Sequence, residues 1–252
     1  MFSKRHLLLL ILTVWAGLRT ISPARPAYSR EEYIVVSGGP ALRQWEEYRS
    51  AQEQHDRYWG NFIKAARIRI DQLRIQHGAA LNLTWIIYRP AYLTRQREDL
   101  VKRPPDLCGI PEITSLASLR QTRLVWFDNT PFLIDYLNRR NGRKLSGFEY
   151  FGHSNKFAFL FDYSNEILGV SSCYLHCVEL SGLHRGLFTS DAEVRSWGCN
   201  TGDYMSRVWK RQTGHRMIGA SAAGIPGCTG KTDYSAISDG VTLPTVNGRW
   251  VD

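Results

Sequence analysis

Apolar positions follow two patterns along this chain, and the switches between them predict its elements. Over residues 41–76, Trp45, Tyr48, Trp59, Phe62, Ile63, Ala66, Ile70 and Leu73 mostly recur at three- and four-residue steps. That spacing lays one apolar stripe along a long helix, with its aromatic residues in the core. Shorter unbroken runs read as buried strands. Residues 33–36 form one, closed by Ser37-Gly38-Gly39-Pro40, and residues 83–88 form another, ended by Arg89-Pro90. Residues 91–121 are less regular, with Pro104-Pro105 and Pro111 marking loops, and read as an insertion. The second half alternates more cleanly. Strands are expected at 123–127, 148–151, 192–197 and 216–220, with helices at 131–139 and 201–212.

Strands alternating with helices predict an α/β fold built on a mainly parallel sheet with helices on both faces. Ligands of such sheets sit beyond the carboxyl ends of the strands. His153 and Cys199 both fall at such ends.

Composition adds bounds. With 252 residues, 43% hydrophobic and 22% charged, the chain is long enough for one large domain with a proper core. Its first 24 residues read as a leader: Lys4, Arg5 and His6, then an apolar run from Leu7 to Leu18, then Ser22-Pro23-Ala24 as a small-x-small site. Export to the periplasm or exterior follows, the alternative being an uncleaved membrane anchor. Loss of Lys4, Arg5 and Arg19 with the leader takes the formal charge from +9 to +6. The remaining basic residues stand among acids, which suits solvated helix faces rather than a nucleic-acid footprint. The mature region has five cysteines, Cys108, Cys173, Cys177, Cys199 and Cys228, and an odd count leaves at least one thiol unpaired within the chain.

Residues 149–162, EYFGHSNKFAFLFD, admit two chemistries. Gly152-His153-Ser154 matches the opening of the G-x-S-x-G elbow, with Ser154 as nucleophile. That elbow needs a glycine two places after the serine and a helix starting there. Lys156 holds the place, and residues 157–161 are β-like, so strand–turn–strand is expected. Asp191 and His215 stand in the order a serine triad would need. The other chemistry draws a thiol and an imidazole from neighbouring strand ends. His153 would take the proton of Cys199, and the thiolate would attack a carbonyl. Residues 163–191 supply the crossover that parallel neighbours require. A helix beginning soon after Cys199 would place its positive end near the sulfur. On spacing alone, a buried structural cysteine with a surface histidine is the alternative.

The blocks FEYFGHS and EVRSWGCNTG resemble the two motif blocks of caspase-like (clan CD) cysteine peptidases. There, one hydrophobic strand ends in His-Gly and a second in a cysteine after a small residue. The resemblance runs from about Arg123 to Asp252. It is similar to a bacterial caspase-like domain of exported proteins, with Gly198-Cys199-Asn200, Thr213-Gly214 and Gly248-Arg249-Trp250 in that order. It implies a three-layer caspase-like sandwich, His153 as base, Cys199 as nucleophile, and an oxyanion hole of backbone N–H groups near Ser154 and Cys199. Asn200, in the same block, is a candidate substrate contact. The family's glycine after the histidine is Ser154 here, a side chain that narrows the approach to a carbonyl.

Two further stretches carry polar chemistry. Cys173-Tyr174-Leu175-His176-Cys177, with Cys228 or His184, could hold a metal, but it lacks a second paired knuckle and reads instead as a disulfide or exposed cysteine pair. In GKTDYS (230–235), Asp233 either orients a substrate or His153, or caps a turn. The expected organisation is a leader (1–24), a region contributing a strand, a long helix and an insertion (25–122), and a core with both motifs (123–252). The expected function is an exported cysteine peptidase acting on protein or peptide substrates. It would need no metal or cofactor, bind no nucleic acid, and touch a membrane only through an uncleaved leader. A catalytically silent caspase-like binding module is the alternative, and a Ser154 hydrolase a third reading.

Overall fold

Strand β1 (Glu32–Ser37) is buried at every position, and β2 (Asn82–Tyr88) at all but its first. Their unbroken apolar runs reflect a sheet covered on both faces. A computed structural model describes residues 31–40, 60–103, 107–162, 173–235, 237 and 240–252. With β3 (Arg123–Phe127), β4 (Leu145–Phe151) and β8 (Phe188–Ser196), these strands form a five-stranded sheet in the order β3-β2-β1-β4-β8, parallel throughout. The protein is an α/β sandwich of three layers.

Side-chain alternation along the strands divides the core in two. On one face Tyr33, Val35, Leu83, Trp85, Ile87 and Phe151 pack against helices α1 (Asn61–His77) and α3 (Ile110–Leu119). On the other, Ile34, Val36, Ile86, Phe148, Tyr150 and Val194 meet α4 (Thr130–Asn138) and α5 (Met205–Thr213). Successive strands run outward from β1 to β3. The chain then returns to the far side of β1 with β4 and continues outward to β8. The order reverses between β1 and β4, the position where α/β sheets open a crevice at their carboxyl ends.

Several elements differ from expectation. Residues 91–121 are not irregular: they hold most of α2 (Arg89–Lys102) and all of α3, the crossover from β2 to β3. Pro90 and Pro111 stand in the first turn of each helix, where a missing N–H costs nothing. Between β4 and β8, the described residues include the expected strand pair after Ser154: β5 (His153–Ser154), β6 (Ala158–Asp162) and β7 (Cys173–His176) form an antiparallel sheet, followed by a 3-10 turn at Glu179–Gly182. Phe159, Phe161 and Leu175 alternate into the core from this sheet, a period of two that favours strands. The helix expected from 201 starts at Met205, because Asn200 takes a left-handed φ of 59° and residues 201–204 turn first.

Of the expected long helix, α1 is the described part, and residues 41–59 lie outside the described residues, as does the leader. Beyond β8, Ile218 bridges Arg195 in parallel and extends the sheet, and β9 (Gly219–Ser221) then pairs antiparallel with β12 (Arg249–Val251). A last small pair joins β10 (Thr232–Asp233) to β11 (Thr245–Val246).

Candidate active site

Strands β4 and β8 are neighbours, with Tyr150 opposite Ser196. His153 follows β4 by two residues and Cys199 follows β8 by three, so both lie just past the carboxyl ends of adjacent parallel strands. Three contacts hold the two loops in register. Trp197 N–H donates to the Tyr150 carbonyl at 2.8 Å, which continues the ladder. Phe151 and Trp197, each two residues before its motif residue, stack with centroids 5.5 Å apart and planes 8° apart. Ser154 Oγ donates to the Cys199 carbonyl at 2.8 Å.

Glycine is required at two points here. A Cβ on Gly198 would lie 2.1 Å from Ser154 Oγ, and one on Gly152 would lie 2.2 Å from the Tyr150 hydroxyl. The small residue before Cys199 therefore lets the loops touch. Tyr150 is fully buried, and its hydroxyl donates to the His153 carbonyl at 2.6 Å. Burial, and then the nearby Cys199 thiol, hold its acidity far from the ordinary phenol range, so it remains a protonated donor.

His153 is half-buried. Its ring stands edge-on to Phe62 of α1 at 4.9 Å, and Phe62 meets Tyr234 in the same way at 5.1 Å. Tyr234 in turn donates its hydroxyl to the Trp197 carbonyl at 2.9 Å. Cys199 is also half-buried, and its sulfur accepts the Thr232 N–H at 3.3 Å. A donor aimed at sulfur favours the thiolate. This N–H takes the place of the expected helix terminus, which begins six residues on, beyond the reach of a first-turn dipole.

A charged cluster under the sheet braces the cysteine loop. The Glu149 carboxylate, 1% exposed, accepts from Tyr33 Oη, from Arg69 Nε at 2.6 Å and from Trp197 Nε1 at 2.6 Å. Burial and then the Glu149 charge raise the Tyr33 pKa far above the usual phenol range, so it stays a donor. Phe62 and Arg69 stand seven residues apart on α1, so one helix face supports both His153 and the Glu149 cluster.

The remaining candidates have structural places. Asn200 donates its N–H to Gly230 O at 2.9 Å, and its side chain packs so closely on Gly230 that a Cβ there would lie 2.1 Å from Oδ1. Asp233 is exposed, and its Oδ1 accepts the Ser235 N–H at 2.7 Å, a turn cap. In that segment Thr232, one residue earlier, meets the thiol. Ser154 is followed by the β5–β6 turn rather than a helix, so both conditions for a serine elbow are absent. Its hydroxyl is engaged with the opposite loop rather than idle.

All five cysteines are free thiols. Cys108 belongs to the core on one face of the sheet and Cys173 and Cys177 to the other, so the sheet separates them. Among the described residues, no three or more His, Cys, Asp or Glu side chains gather as a metal site. Sequence reasoning missed Thr232, Phe62, Tyr150 and Glu149. Phe62 and Tyr150 carried only the signal of core residues, and nothing local marks Thr232 or Glu149. No family model matches the chain, and neither a curated protein nor a solved structure matches it.

Proposed function

We propose that this chain is an exported cysteine peptidase of caspase-like type, with Cys199 as nucleophile and His153 as base. The observation that carries the reading is the 2.8 Å bond from Ser154 Oγ to the Cys199 carbonyl, which ties the two motif loops together beyond adjacent parallel strands. The chemistry this arrangement supports begins with transfer of the thiol proton to the imidazole. The sulfur then bonds to the carbonyl carbon of a peptide, and the carbonyl electron pair moves onto oxygen. Backbone N–H groups of residues 154 and 199 would stabilise that oxyanion. Collapse breaks the C–N bond, the imidazolium gives its proton to the leaving amine, and water hydrolyses the thioester. The Thr232 N–H helps by stabilising negative charge on sulfur.

Export rests on the leader alone. Among the described residues, no helix is long and apolar enough to cross a membrane. The decisive experiment is digestion of a mixed peptide library, with products read by mass spectrometry. Wild type should cleave, whereas Cys199→Ala and His153→Ala should not; cleavage that persists in Cys199→Ala removes the proposal.

One observation favours a second reading, a catalytically silent module that binds a partner. Ser154 fills the space against Gly198 that glycine would leave open. In that case the wild type leaves the whole library intact, and Cys199→Ala has no consequence for partner binding.

A further inference from the structure

The amino-terminal edge of the sheet, opposite the Cys199 loop, holds a cavity of about 580 Å³. Its walls include Arg123 of β3, Tyr136 of α4, and Arg139, Arg140 and Arg143 from the turn after α4. Four arginines therefore line one space. The carboxylate beside them, Glu32, is already engaged: it accepts from Thr84 Oγ1, from Tyr136 Oη at 3.0 Å and from Arg140 Nη1.

Arg140 is a fixed part of this wall. Its side chain is 10% exposed, it also donates to the Tyr136 carbonyl, and its guanidinium carbon lies 5.2 Å from the Tyr136 ring centroid. Arg123 lies 5.9 Å from the same centroid, so one ring gathers two cations. Arg139 is paired with Asp135. Arg123 and Arg143 face no carboxylate among the described residues. Glu32 and Asp135 thus neutralise two of the four arginines and leave two uncompensated. Like charges lining one space repel one another, and a bound anion would reduce that repulsion.

The rest of the lining narrows the anion. Planar guanidinium forks match phosphoryl oxygens in pairs, and a phosphate monoester is close to a dianion at neutral pH, the charge that two free arginines complement. Val125, Phe132 and Tyr136 add an apolar and aromatic side, with Phe132 41% exposed and stacked on Tyr136 at 6.5 Å. We infer that this groove binds a phosphate monoester with an apolar or aromatic body, its phosphoryl group on Arg123 and Arg143 and its body on Phe132 and Tyr136. The ester is either a soluble molecule or a lipid headgroup, both having this chemistry. The site is independent of the Cys199–His153 chemistry.

Calorimetric titration of the full chain with phenyl phosphate, inorganic phosphate and phenol tests it. Phenyl phosphate should bind more tightly than either of its parts, and more weakly as pH falls below about 6, where the dianion takes up a proton. The exposed pair Arg123→Gln with Arg143→Gln should lower that affinity about a hundredfold, taking tenfold for each lost charge-assisted contact. Arg207→Gln, which removes a charge from α5, should leave it unchanged. Equal affinity in wild type and the double variant, or no binding beyond that of phenol, overturns the inference. Flotation with phosphatidylcholine vesicles containing phosphatidic acid separates the sources. Vesicle binding lost in the double variant identifies a headgroup, and phenyl phosphate binding without vesicle binding identifies a soluble ester. Vesicle binding unchanged in the double variant, with no phenyl phosphate binding, reduces the groove to general surface charge and overturns the site.

Discussion

Cys177 and His176 are chain neighbours whose Sγ and Nδ1 lie 3.8 Å apart, whereas Cys199 and His153 come from the ends of two strands. The thiol of the nearer pair in sequence is the more buried of the two. Cys177 is 6% exposed and packs into the core with Leu175 and Leu180, out of reach of a substrate or reagent. Cys199 is half-buried, receives the Thr232 N–H on its sulfur, and stands where the loops of β4 and β8 meet. Adjacency of thiol and imidazole in the sequence does not by itself supply that setting. What distinguishes the proposed nucleophile from Cys177 is its exposure and the backbone donor aimed at its sulfur.

The comparison breaks most sharply under alkylation. With iodoacetamide at pH 6.5, Cys199 should be modified about a hundredfold faster than Cys177, as expected for a thiolate against a buried thiol. Peptide mapping after timed quenching reads both rates at once, and equal rates would place Cys199 with the inert thiols.

The next effect concerns the brace beneath the Cys199 loop. Glu149→Leu leaves Arg69, 15% exposed, without its buried partner and removes the acceptor of Trp197 Nε1. Urea unfolding should show a loss of about 3 kcal/mol, the low end for breaking a buried pair. The milder Trp197→Phe keeps an aromatic ring against Phe151 while losing the indole donor. It should slow Cys199 alkylation and leave Cys177 unchanged. A slower rate at both cysteines would mean a general loss of structure instead.

Alkaline pH tests the buried phenol that anchors His153. Tyr150 keeps its proton in the folded state to a higher pH than in the unfolded chain. Its contribution to stability is fully present below the unfolded value and lost as pH rises toward the folded one, because the unfolded state releases the proton first. Stability should fall above about pH 10, by at most about 1.4 kcal/mol per pH unit for this group. Tyr150→Phe should make that fall shallower, measured as the urea midpoint between pH 9 and 11. An unchanged slope would assign the fall to other tyrosines.

Ser154→Gly should have the smallest effect. It opens the approach to Cys199 but removes the hydroxyl bond between the two loops, with a cost of about 1 kcal/mol. Cleavage by this variant, if wild type is active, should stay within a few fold. A large loss would make the Ser154 hydroxyl a positioning group for Cys199.

Much of the architecture is legible in the sequence. The run at residues 123–127 marked β3 to the residue, and the buried runs of β1 and β2 were placed within a residue at each end. The alternation after Ser154 excluded an elbow helix, and β5–β6 is indeed a strand pair. These features are local: periodicity records which faces a segment buries, and glycine or proline records where it turns. Proline also misled once, since Pro111 begins a helix, and a proline in a first turn cannot be told from a loop proline without the neighbouring packing.

Order within the sheet and the partners of each site residue were decided by tertiary structure. The sulfur's donor is 33 residues away, the Ser154 contact spans 45 residues, and the Glu149 bond to Trp197 spans 48. Phe62 reaches His153 from a helix on another crossover, and the arginine groove joins β3 to the turn after α4. A side chain's own neighbourhood in sequence sets its propensity and its face, because those depend on short-range backbone geometry. Which distant backbone N–H or ring meets it depends on the path of every crossover between them, and that path exists only once the whole sheet has closed on its two cores.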